Sequence, residues 1–148
     1  MVIAVDFDGT IVEHKFPEIG REIPFAIDTL IRLQKEERHQ LILWTVREGE
    51  LLEEAVNFCR KRGLEFYAVN KNFPEEEVEP TGGCRKLNAE MFIDDRNIGG
   101  LPDWGIIYKL VKNHYDTFSS FEDIVNSAAS KRKKNFFLRL GESLDKRK

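Results

Sequence analysis

The segment VIAVDFDGT, residues 2–10, ends an apolar run with two aspartates separated by one phenylalanine, followed by Gly and Thr. Asp-Gly is a common turn pair, so a surface turn is the simplest reading. The alternative is a site in which two acids act on one substrate. Asp6, at the end of the apolar run, would be fixed in place. Asp8, two residues on, would lie free of strand pairing and able to face the same point. A fixed carboxylate is suited to nucleophilic attack, and a neighbouring acid to proton transfer. Gly9 lets the chain turn away, and Thr10 can tie that turn through its hydroxyl.

Three further apolar runs end in polar residues: LILWT (41–45), FYAVN (66–70) and MFIDD (91–95). All four runs are short and rich in β-branched and aromatic residues. Continuous rather than alternating apolarity predicts parallel strands covered on both faces. Between them, residues 24–37 carry Ile27, Leu30, Ile31 and Leu33 on one helical face, with Pro24 suited to a first turn. Residues 48–62 do likewise with Leu51, Leu52, Ala55, Phe58 and Cys59, and Gly63 supplies a stop. Further helices are predicted from Trp104 to Asn113, weakened by Gly105, and from Phe121 to Ser130. The alternation predicts an α/β fold: a Rossmann-like, three-layer α/β/α arrangement with a mainly parallel sheet. Ligands of such sheets bind beyond the carboxyl ends of the strands, where Asp6, Thr45, Asn70 and Asp94 would gather.

DFDGT at 6–10, Thr45, Lys86 and the Asp94–Asp95 pair together resemble, in order and spacing, the four motifs of the haloacid dehalogenase superfamily. The resemblance spans roughly residues 1–113. It implies a Mg²⁺-dependent phosphomonoester hydrolase working through an aspartyl-phosphate. Asp6 would be the nucleophile, Asp8 the general acid and base, and Thr45 and Lys86 the partners of the phosphoryl group. The backbone N–H groups of Phe7 and Val46 would support that group, with Arg47 able to touch substrate. The metal would be held by the Asp6 and Asp94 carboxylates and the Asp8 backbone carbonyl, with Asp95 in the outer shell or as an alternative ligand. Lys71 competes with Lys86 for the lysine role. Glu13 and His14 are candidates for the entrance, Arg96 for a substrate contact, and Asn97 for ordering the loop behind the acids. Acid at position 8 favours protonation of an alkoxide leaving group, and so a phosphatase, over dehalogenation.

Relatives often carry a cap inserted after the first motif or between the second and third. The dozen or so residues between Ile11 and Glu22 leave no room for an independently folded insert of ~40 residues. The stretch from Thr45 to Lys86 is taken up by a helix, a strand and an acidic loop at 71–85. A core over 1–127 without a cap domain is therefore expected, with a basic segment over 128–148. Residues 131–148 hold eight Lys/Arg against two acids, leaving the first 130 residues at −9 within a net charge of −3. Phe136, Phe137 and Leu140 suit a helix docked on the core or on a second copy, giving a possible homo-oligomer. The acidity of the bulk argues against nucleic acid as a partner.

No window approaches the ~18 apolar residues of a membrane span. The first apolar run is too short for a signal peptide and no basic residue precedes it, so a cytoplasmic setting is expected. Cys59 and Cys84 stand apart and read as ordinary thiols. Two other functions compete: a receiver-like module that stores an aspartyl-phosphate, and a non-catalytic phosphate-binding module. Receivers place their acceptor at the end of the third strand, where this chain has Asn70. A phosphorylated small molecule or macromolecular end is the expected substrate.

Overall fold

The computed structural model describes residues 1–77 and 86–113. The chain divides into two compact units, Met1–Tyr108 and Lys109–Lys148. The expected boundary at 127/128, the helix at 121–130 and the basic segment with its docking role all lie outside the described residues, as does Cys84.

Four strands, β1 (Val2–Val5), β2 (Gln40–Leu43), β3 (Ala68–Val69) and β4 (Met91–Ile93), form one sheet in the order β3-β2-β1-β4, with every pairing parallel. Three helices, α1 (Ala26–Lys35), α2 (Gly49–Arg60) and α3 (Trp104–Lys112), complete the elements among the described residues. This is a small α/β, Rossmann-like fold with an all-parallel sheet. Each strand is one to three residues shorter than its apolar run: β1, β2 and β4 stop before the polar ends, and β3 also lacks Phe66 and Tyr67 at its start.

Register sorts the apolar residues onto two faces. Ala4, Ile42 and Ala68 share one face, where Leu87 closes over them and Val2, Trp44, Ala89 and Phe92 pack around the edge. The small side chains there let the 86–90 segment lie close to the sheet. Ile3, Val5, Leu41 and Leu43, all without exposure, form the other face. The connections β1–α1–β2 and β2–α2–β3 step the same way along the sheet, so right-handed crossovers carry α1 and α2 over that second face. There α1 contributes Ile27, Leu30 and Leu33, and α2 contributes Ala55 and Cys59. Burial pushes the Cys59 thiol up to about 12, which fits a thiol that packs rather than reacts.

Helix ends follow local chemistry. After α2, Gly63 takes φ +83°, its N–H bonds to Arg60 O, and the Leu64 N–H reaches back to Cys59 O. That pairing satisfies carbonyls the helix would otherwise leave open. α1 starts two residues later than its pattern suggests, behind Phe25 at φ +68°. At α3, Gly105 lies in the first turn, where its N–H bonds to Asp103 Oδ1 at 2.8 Å, so its low helical preference does little harm. No described helix is long and apolar enough to cross a membrane.

Ala4 is fully buried on the thin face, level with Ile42 and Phe92 and in one cluster with Leu87. Replacing it with Leu should cost about 1–3 kcal/mol through overpacking against Leu87, measured as a lower urea midpoint at unchanged slope.

Candidate functional site

Val5 is level with Leu43 on one side and Ile93 on the other. The ladder runs one residue further, through Trp44 N–H to Val5 O (2.8 Å) and Asp6 N–H to Ile93 O (2.9 Å). Asp6, Trp44 and Asp94 therefore stand at one level, and Thr45 and Asp95 one step beyond. The strand order reverses between β1 and β4, and an open α/β sheet places its ligand crevice at such a switch point. A pocket of about 310 Å³ opens there, lined by Asp6, Asp8, His14, Phe16, Trp44, Thr45, Val46, Asp94 and Arg96.

Asp6, Asp94 and Asp95 each bring a carboxylate oxygen within 4.8 Å of the others. Burial drives the Asp6 carboxyl up from 3.8 to about 6. The negative charges of Asp94 and Asp95 add to the rise, while hydrogen bonds from the Phe7 N–H and the Thr10 hydroxyl oppose it. Thr10, itself fully buried, donates to Asp6 Oδ2 at 3.3 Å and accepts from the Asp95 N–H at 3.0 Å. One hydroxyl thus ties the turn after β1 to the end of β4, beyond the local role expected of it. Asp94 Oδ1 accepts from the Arg96 N–H at 2.8 Å.

Asp95 Oδ1 is buried and finds no hydrogen-bond partner among the described residues. An orphaned carboxylate oxygen beside two further carboxylates is poorly matched to a metal-free site and well matched to a hard cation with oxygen ligands. The three residues can therefore hold a divalent metal. The Asp8 carboxylate stands outside the trio, so its expected share in metal binding falls to its backbone carbonyl. Gly9, at φ +93°, is required twice: for its backbone angle, and because any Cβ there would overlap the Asp95 carboxylate.

The remaining sequence-derived residues divide. Thr45 is 3% exposed and lines the pocket. Its backbone is gripped by the Asn70 side chain, which accepts from Thr45 N–H at 2.8 Å and donates to Thr45 O at 2.9 Å. Val46 is exposed at the rim. Phe7 is fully buried, its ring edge-on to Phe58, and its N–H is spent on Asp6. Arg47 is fully buried and directed at Asp8, with Nε and Nη2 donating to the two carboxylate oxygens at 2.7 Å each. Lys86 is exposed, with Nζ 5.8 Å from the Phe92 ring centre, and neither it nor Lys71 lines the pocket. His14 and Arg96 do line it; Asn97 donates to Phe92 O at 3.5 Å.

Sequence reasoning missed Phe16 and Trp44. Trp44 precedes Thr45 and so had to flank the pocket once Thr45 was chosen. Phe16 gave no comparable signal, since it acts through contacts with residues distant along the chain. Asn70, expected at the crevice as a strand end, spends its side chain on the Thr45 backbone and is not among the residues lining the pocket.

No family model matches the chain, and no curated protein does. Among solved structures, a conserved protein from Bacteroides thetaiotaomicron is 64% identical over 77% of this chain and 91% of its own, with a TM-score of 0.69. This chain belongs to that protein's family. The agreement in fold supports the small α/β, Rossmann-like sheet described above.

The raised Asp6 carboxyl has a stability consequence. Between about 4 and 6 the unfolded chain has lost this proton and the folded one retains it, so the group's contribution falls as pH rises through that window. In metal-free protein at pH 7.5, Asp6→Asn should therefore be more stable than wild type, by on the order of 1–2 kcal/mol after allowance for partial solvent screening. The gap should narrow as pH is lowered from 6 toward 4, read by thermal melts across that range.

Proposed function

We propose that this protein is a Mg²⁺-dependent phosphomonoester hydrolase of the haloacid dehalogenase type, acting through an aspartyl-phosphate on Asp6. The observation that carries the reading is the meeting of Asp6, Asp8, Thr45 and Asp94 in one pocket at the switch point, where Asp6 and Asp94 also belong to the metal-competent trio. The strand order adds support. Receiver-type, flavodoxin-like sheets run 2-1-3-4-5, which separates the first strand from the fourth, whereas here β1 and β4 are neighbours.

Asp6, Asp94 and Asp95 would hold the metal, with the Asp8 carbonyl as a further ligand. Bound Mg²⁺ would supply charge to offset the repulsion between these carboxylates and a phosphate dianion. Asp6 attacks phosphorus through a carboxylate oxygen, and the bond from phosphorus to the ester oxygen breaks. Asp8 gives its proton to the departing alkoxide. Asp8 then removes a proton from water, whose oxygen attacks the aspartyl-phosphate and releases inorganic phosphate with Asp6 restored. Thr45, held by Asn70, offers its hydroxyl to a phosphoryl oxygen. Phe16, Trp44, Val46, His14 and Arg96 form the surround for the leaving group. Lys86, exposed and outside the pocket lining, is given no step in this reading.

Hydrolysis of an aryl phosphate should require Mg²⁺ and disappear in Asp6→Asn, which keeps shape and removes the nucleophile; full activity in that variant would sink the mechanism. Asp8→Asn should slow alkyl phosphates by about 10²-fold or more, the usual worth of a general acid, and aryl phosphates far less. Equal losses on the two esters would remove Asp8 from the acid role.

A further inference from the structure

Arg47 has more polar partners than any other described side chain near the pocket. Besides both oxygens of Asp8, its Nη1 donates to Pro17 O at 2.8 Å and its Nη2 to Glu18 O at 2.9 Å. Its guanidinium carbon lies 5.2 Å from the Phe7 ring centre and 5.3 Å from that of Phe16. The group is completely buried, and Asp8 is 5% exposed. A buried guanidinium is stabilised when its donors are used and its charge is matched; the Asp8 oxygens and two carbonyls use the donors throughout, and Asp8 matches the charge whenever it is ionised, as it is after giving up its proton.

These contacts join three things that the chain keeps apart: the acid after β1, the segment at 16–18, and the loop after β2. We propose that Arg47 is a positioning residue that sets the Asp8 carboxylate and the Phe16–Glu18 segment, whose Phe16 lines the pocket, as one unit. The proposal rests on the phosphatase reading for its kinetic consequences. A fork of two parallel hydrogen bonds fixes the plane of the Asp8 carboxylate as well as its position, which a single contact would not do. Each carboxylate oxygen has two lone pairs, so accepting from Arg47 leaves a second site able to carry the proton or meet the leaving oxygen. The same guanidinium holds Pro17 and Glu18 and backs Phe16, a pocket residue. The group that protonates the leaving oxygen and the surface that seats the leaving group therefore share one anchor. Direct contact between Arg47 and substrate, as the sequence suggested, would break this set of contacts.

Arg47→Lys keeps the charge and loses the fork. Its kcat on an alkyl phosphate should fall about 10²-fold, the cost of misplacing a catalytic group by about an ångström, with a much smaller loss on an aryl phosphate. In Asp8→Asn the same change should add little further loss on the alkyl ester. Equal losses on both esters with a raised KM would place Arg47 on the substrate and overturn the inference, as would losses that multiply in the double variant. Circular dichroism checks that the variant folds. If it does not, the Arg47 Nε–H resonance of ¹⁵N-labelled wild type decides: slow exchange with solvent, lost in Asp8→Asn, is expected, and exchange as fast as that of the exposed arginines overturns the inference. Wild type inactive on both esters would remove the phosphatase reading alone, and the resonance would still judge the latch.

Discussion

Three carboxylates that repel one another share a space of a few ångströms because two adjacent parallel strands end there. Asp6 N–H is tied to Ile93 O, and Asp95 N–H to the Thr10 hydroxyl, so backbone bonds hold the residues that carry the opposing charges. Relaxing the repulsion would mean unpairing β1 from β4, which would expose Ile3, Val5 and Ile93 to water. The apolar sheet thus supplies the free energy that keeps an electrostatically unfavourable cluster assembled. The raised proton affinity of Asp6 comes first from its burial, and the charges of Asp94 and Asp95 add to it.

Parallel topology makes this possible. In an antiparallel pair, the ends of neighbouring strands would point opposite ways and the acids of 6–8 and 94–95 would lie at different edges. Here the crossovers return each strand in the same direction, and the reversal of order between β1 and β4 opens a crevice between loops that turn away to either side. Ala4 and Ala68 keep one face thin enough for the 86–90 segment to lie against it, which sets where β4 begins and hence the level of Asp94.

Around this fixed base the pocket is completed by contacts between distant segments. Asn70 acts as a backbone substitute at the tip of β3, giving Thr45 the two hydrogen bonds that a longer strand would have provided. Arg47 does the same for irregular chain on the other side of Asp8, satisfying carbonyls of the 17–18 segment that no ladder reaches. Both residues spend their polar groups on organisation, and the residues they hold are the ones that face the pocket.

The apolar runs, their polar ends and the helix stripes between them were enough to read the parallel α/β class, all four strands and three helices, because burial on both faces of a parallel sheet writes itself as local composition. Asp6, Asp8, Thr45, Asp94 and Asp95 were legible for the same reason, since strand-end position follows from the run that precedes it. What each side chain touches was not legible. Arg47 reads as a substrate contact and is a buried partner of Asp8; Thr10 reads as a turn residue and ties that turn to the end of β4; Asn70 reads as a strand end at the crevice and grips the Thr45 backbone; Phe16 carries no mark. Periodicity records how much of a residue is covered, whereas hydrogen-bond partners depend on which loops meet, and that was decided only when the tertiary fold brought residues 8, 17, 18 and 47 together.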